Sequence, residues 1–107
     1  MIRIEEIEKE VRQGEKAEQE GNSGRARVCA RRAAGIALEN YYARMGENPG
    51  KDAMKLLAQF SGASEIPGDV RDAALRLQER VRPDFTSASR QPLNDARLII
   101  NFVTTFR

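Results

Sequence analysis

Arginines crowd one short stretch of this chain: Arg25, Arg27, Arg31 and Arg32 fall within eight residues. A guanidinium is planar, permanently charged and rich in donors, so such a group suits bidentate contact with carboxylate or phosphate. On a helix, Arg27 and Arg31 stand one turn apart, which lets both reach one phosphate or one acidic partner. The competing reading is a solvated helix face whose arginines pair within the chain. Residues 1–20 are net acidic and would supply the partners. A second group is Arg82-Pro83-Asp84-Phe85, where a cation and a carboxylate leave a helix together. There Arg82 either meets a ligand or neutralises the last carbonyls of that helix while Phe85 folds onto the core.

Most catalytic chemistry is excluded by what is missing. The chain contains no histidine and one cysteine, Cys29. A cysteine nucleophile normally needs a neighbouring base, so Cys29 reads as a small buried hydrophobe. A zinc site of the usual kind is ruled out on the same counts. There is no phosphate loop, no GxGxxG and no Ser-His-Asp set. A di-metal carboxylate bundle would need inward Glu-x-x-His pairs, and none exists. Glu5 with Glu6, and Asp69 with Asp72, fall near helix starts, where carboxylates complement the helix dipole. No catalytic residue, metal or cofactor is expected.

The elements that must position these side chains are helices. At 107 residues, 40% apolar and 32% charged, the chain suits one domain with one modest core. The net charge of +2 is too small to argue for nucleic acid alone. The organising stretch is Ser23 to Met45, rich in alanine. At about 100° per residue, Ala26, Cys29, Ala30, Ala33, Ala37 and Tyr41 share one face. Val28, Gly35 and Tyr42 recur every seventh residue on the far side. That second stripe predicts either a subunit contact or cover by another helix.

Before it, residues 2–19 carry Ile4, Ile7, Val11 and Gly14 in a narrow stripe, ended by Gly21-Asn22. Asn22 or Ser23 then caps the central helix, and so short a turn predicts an antiparallel hairpin. After Gly46, Asn48 is a candidate cap and Pro49 a candidate first residue for a short helix from about Gly50 to Ser61. Pro67 opens a fourth helix to about Val81, with Pro83 breaking it. Pro92 or Asn94 starts a last one, with Ala96, Ile99, Ile100, Val103 and Phe106 inward. The expectation is an all-α, up-and-down bundle of four long helices and one short one. The charged N-terminus and the lack of a long apolar run predict a soluble, cytoplasmic protein.

This order of features resembles the HEPN domain family of prokaryotic helical proteins. The likeness rests on the glycine turn EGNSG, the alanine-rich ARVCARRAAGIALENYYA, the short DAMKLLAQF, the exit VRPDFT and the final DARLIINFV. It implies a dimeric helical bundle that binds nucleotides, works beside a nucleotidyltransferase, or cleaves RNA with an Arg-x(4–6)-His motif. The histidine of that motif is absent, which puts the ribonuclease role in doubt. Arg82 and Asp84 match the family's exit motif and carry over as binding residues.

The sequence therefore predicts a non-catalytic HEPN-like module, homodimeric, binding a nucleotide, RNA or a partner protein such as a nucleotidyltransferase. Its ligand residues would be Arg82, Asp84, Arg27 and Arg31, and its dimer contact Val28, Gly35 and Tyr42. The alternative is a divergent metal-independent endoribonuclease of toxin–antitoxin type.

Overall fold

The computed structural model describes residues 3–48, 50–78 and 91–105. Among them the chain forms five α-helices: α1 (Ile4–Gln19), α2 (Ser23–Arg44), α3 (Ala53–Ser61), α4 (Gly68–Gln78) and α5 (Pro92–Thr105). No strand occurs among the described residues, and no helix among them is long and apolar enough to cross a membrane.

The helix ends follow from local chemistry. Gly21 takes φ +77°, a left-handed turn that a side chain would strain. Its N–H donates to Glu18 O, and the next N–H, of Asn22, donates back to Ala17 O. Those bonds close the last carbonyls of α1 in a Schellman motif. Gly46, at φ +78°, ends α2 the same way, with bonds to Ala43 O and from Glu47 to Tyr42 O. Asn22 then serves both helices, because its side chain accepts the Arg25 N–H and caps α2. The start of α3 differs from the sequence reading. Asp52, not Asn48, is the cap, accepting from the Met54 and Lys55 N–H groups at 3.0 and 3.4 Å. Gly50, at φ +97°, holds the preceding residues out of the helix, so α3 begins three residues later than expected. Pro49 lies outside the described residues, as do Val81, Pro83 and Phe106.

Helix α2 is the hub and touches each of the other four. It runs antiparallel to α1: Gly14 meets Cys29 near the turn, while Arg3 pairs with Glu39 at the far end, 2.7 Å apart. Small residues set how closely the helices approach. A Cβ on Gly14 would stand 2.7 Å from Leu93 and 3.1 Å from Cys29, so α1, α2 and α5 meet where no side chain fits. At the other end of α2, Tyr41, Phe60 and Phe102 stack edge to face or tilted, and Tyr42 lies edge-on to Tyr41. Bulk thus gathers at one end of the bundle and alanine at the other.

The second stripe of α2 corrects the expected subunit contact. A Cβ on Gly35 would come within 2.8 Å of Ala53 Cβ, because the start of α3 lies directly on it. Tyr42 is buried in the aromatic cluster. Both residues are spent inside the protomer, by the covering helix that the pattern also allowed. Only Val28, 43% exposed, remains at the surface.

Polar ties fasten the layers. Arg31 Nε donates to Leu77 O at 2.6 Å, and Arg44 donates to Val103 O at 2.6 Å, so α2 arginines hold the carbonyls of α4 and α5. Gln78 Nε2 bridges Leu57 O, Ser61 Oγ and Ala74 O, tying α4 to α3.

The aromatic end also sets an alkaline limit. Burial, then Tyr41, Glu47 and Glu65, pushes the Tyr42 hydroxyl up to about 12. An unfolded tyrosine titrates near 10, so the folded chain holds this proton more tightly. Stability is full below about pH 10 and is lost as pH rises through 10 towards 12. The midpoint of thermal unfolding should therefore stay level to about pH 9.5 and fall beyond it. Tyr42→Phe should flatten part of that fall, leaving the share of Tyr41, also raised by burial. An identical decline in the variant would refute the assignment.

Candidate anion-binding site

The turn between α1 and α2 and the start of α5 face each other across a cavity of about 410 Å³. Its wall contains Glu18 from the end of α1, Gly21 from the turn, Ser23, Ala26 and Arg27 from α2, Gln91 just before α5, and Pro92 to Asn94 with Arg97 from α5. Two helix N-termini therefore open onto one space. A helix N-terminus carries about half a positive charge, which favours an anion nearby; at α2 the Asn22 side chain already takes the Arg25 N–H, and at α5 Pro92 offers none.

Arg27 is the distinctive group. Its Nε is buried and has no hydrogen-bond partner, and no ion pair reaches this side chain among the described residues. The side chain as a whole is only partly buried, and the rest of its guanidinium borders the cavity. Arg97 is anchored instead, its Nη2 2.5 Å from Glu15 Oε1 on α1. The side-chain amide of Asn94 bonds the Gln91 carbonyl, so the two amides at the mouth of α5 hold each other. The arrangement is suited to hold an oxyanion: one free guanidinium, one braced guanidinium and two helix N-termini. Compared with known proteins, the chain matches no family model, no curated protein and no solved structure.

The other sequence candidates separate. Arg27 and Arg31 do not converge, because Arg31 turns to Leu77 O at the end of α4. The expected pair is thus corrected: Arg27 shares its cavity with Arg97, seventy residues on, rather than with its helical neighbour. Arg82 and Asp84 lie outside the described residues. Cys29 is buried, and burial, followed by the nearby Glu10 carboxylate, raises its thiol pKa. A thiol held protonated in this way is a poor nucleophile. Among the described residues no cluster of potential metal ligands forms.

Glu18, Gln91 and Arg97 were not singled out by the sequence, and Asn94 only as a helix start and a stand-in for the missing histidine. One signal was available. Gln91, Asn94 and Arg97 recur every third residue, which puts them on one polar side of the first turns of α5.

Proposed function

We propose that this protein is a non-catalytic, HEPN-like helical binding module that takes a small phosphate-bearing ligand, a nucleotide or an RNA end, in the cavity between the starts of α2 and α5. The guanidinium of Arg27, which has no partner among the described residues and lines a groove between two helix N-termini, carries the reading. Phosphate suits it better than a protein surface does, because the groove is concave and its volume is within the range of small-molecule sites, about 300–1,000 Å³. The HEPN likeness rests on the order of helices and turns. Its exit motif, Arg82 and Asp84, plays no part in this argument.

Titration with inorganic phosphate and with adenosine monophosphate, followed by amide chemical shifts, tests the reading. Shifts should concentrate at Ser23, Arg27 and Leu93 to Asn94. Arg27→Ala should weaken binding by about tenfold or more, equivalent to about 1.4 kcal/mol, with the fold unchanged. Binding should also weaken with added salt. Shifts elsewhere, or an Arg27→Ala variant that binds as well as the parent, would contradict it.

A further inference from the structure

Helix α1 contributes less to the core than its length suggests. In sixteen residues it buries Ile7, Gly14 and Ala17, whereas the nine-residue α3 buries Leu56, Leu57 and Phe60. Val11 is partly buried and Ile4 is 51% exposed. Burial of apolar surface is the main force that docks one helix on another, so α1 is weakly held on this count. Two ion pairs tie it to α2 and α5, Arg3 with Glu39 and Glu15 with Arg97, yet all four side chains stay between 27% and 46% exposed. Pairs so open to water contribute little. One group opposes docking. Glu10 stands beside Arg32 and Gly35 of α2, and its Oε2 is buried and has no hydrogen-bond partner among the described residues. That oxygen would regain water if α1 moved away.

The other helices interlock without α1. Tyr41, Phe60 and Phe102 join α2, α3 and α5, Arg76 with Asp95 joins α4 to α5, and Gln78 joins α4 to α3. We propose that α1 is a detachable arm, which swings away from α2 as a unit about residues 20–22 while α2 to α5 stay folded. Those residues, Glu20, Gly21 and Asn22, are exposed and are all that separates the two helices. Proteins open locally in such units, and an element with few buried apolar contacts opens at the lowest cost. The motion has a built-in reporter. Cys29, 2% exposed, lies against α1, where a Cβ on Gly14 would stand 3.1 Å from its own Cβ. Release of α1 therefore bares this thiol, the single one in the chain.

The test follows alkylation of Cys29 by iodoacetamide in the whole native chain, beside hydrogen exchange of the Ile99 amide in α5. With reclosing fast, each rate reports the population of the form that exposes its group. Cys29 should react through a form at least about tenfold more populated than the one that exchanges Ile99. Two variants separate the motions. Phe60→Leu should speed Ile99 exchange about tenfold and leave Cys29 alkylation within about twofold of the parent, because the opened form keeps the aromatic cluster. Ile7→Ala should speed both by about tenfold or more, since the opened form has already given up the Ile7 contact. If Phe60→Leu speeds Cys29 alkylation by the same factor as Ile99 exchange, the thiol is reached only by unfolding the whole domain, and the arm is overturned. An Ile7→Ala variant that alkylates at the parent's rate would overturn it too.

Discussion

Replacing Phe60 with alanine should destabilise the protein by about 3–5 kcal/mol, a large share of the whole stability of a domain this small. The ring is wholly buried and is the largest side chain that is so among the described residues. It meets Tyr41 edge to face, 5.9 Å between centroids at 87°, and Phe102 at 6.2 Å and 61°. Such pairs add about 0.5–1.5 kcal/mol beyond the area they bury. The cavity left by alanine would not collapse easily, because helices α2, α3 and α5 all contribute to its walls and are fixed elsewhere by Gly35 on Ala53 and by Arg44 on Val103 O. For a domain of this size the thermal midpoint should fall by at least about 12 °C. Phe60→Leu should cost roughly half as much, since it keeps most of the buried area. A loss below about 1 kcal/mol in urea unfolding would show that the aromatic end is far looser than its geometry.

The effect should stay local. Along α2, Tyr41 and Arg27 are separated by fourteen residues, about 21 Å at 1.5 Å per residue. Phosphate affinity of the folded Phe60→Ala protein should therefore match the parent. That separation of a bulky end from a binding end follows from residue size along one helix. Gly14 near the α1 turn lets Cys29 of α2 and Leu93 of α5 press close to α1, whereas at the other end the space is filled by Tyr41 and Tyr42.

How far these features could be read from the sequence depends on their range. Helical spacing is a local property, so Ile7, Ala30, Leu57, Ala74 and Ile99 announce their buried faces through their own neighbours. Glycine turns are local too, and Gly21 and Gly46 are where the pattern puts them. The start of α3 departs from the pattern because two candidate caps, Asn48 and Asp52, stand four residues apart, and Gly50 decides between them through a backbone angle that no periodicity reports. The Val28, Gly35 and Tyr42 stripe shows that α2 has two apolar sides. Whether another helix or another subunit covers the second side is a matter of chain path, and Ala53 on Gly35 answers it in favour of α3. The cavity was the least legible feature. Its charged groups come from α1, α2 and α5, and spacing within any one helix says nothing about which helix ends meet.

The second large effect is expected at Asp95, the one buried charged residue among those described, at 7% exposure. Arg76 Nε lies 3.2 Å from both carboxylate oxygens and Nη2 2.8 Å from one, so a forked guanidinium joins α4 to α5. The hydrogen bonds to Asp95 raise the Arg76 pKa against the opposing effect of its burial. Asp95→Ala removes those bonds, and Asp95 also sits in the first turn of α5, where a carboxylate complements the helix dipole. Breaking a dry ion pair costs about 3–5 kcal/mol. Here the Arg76 side chain is 40% exposed and would regain water, so about 2–3 kcal/mol is expected. Asp95→Asn keeps an acceptor of the same shape and should cost about half of that.

A double-mutant cycle with Arg76→Ala should show coupling of at least about 1 kcal/mol, and additive losses would mean the fork holds nothing. The consequence for function separates this residue from Phe60. Asp95 fixes the turn of α5 that brings Pro92, Leu93 and Asn94 to the cavity wall. Asp95→Ala should therefore weaken phosphate binding severalfold well below the unfolding temperature, where the chain is still folded. Phosphate affinity equal to that of the parent under those conditions would show that the start of α5 needs no clamp from α4.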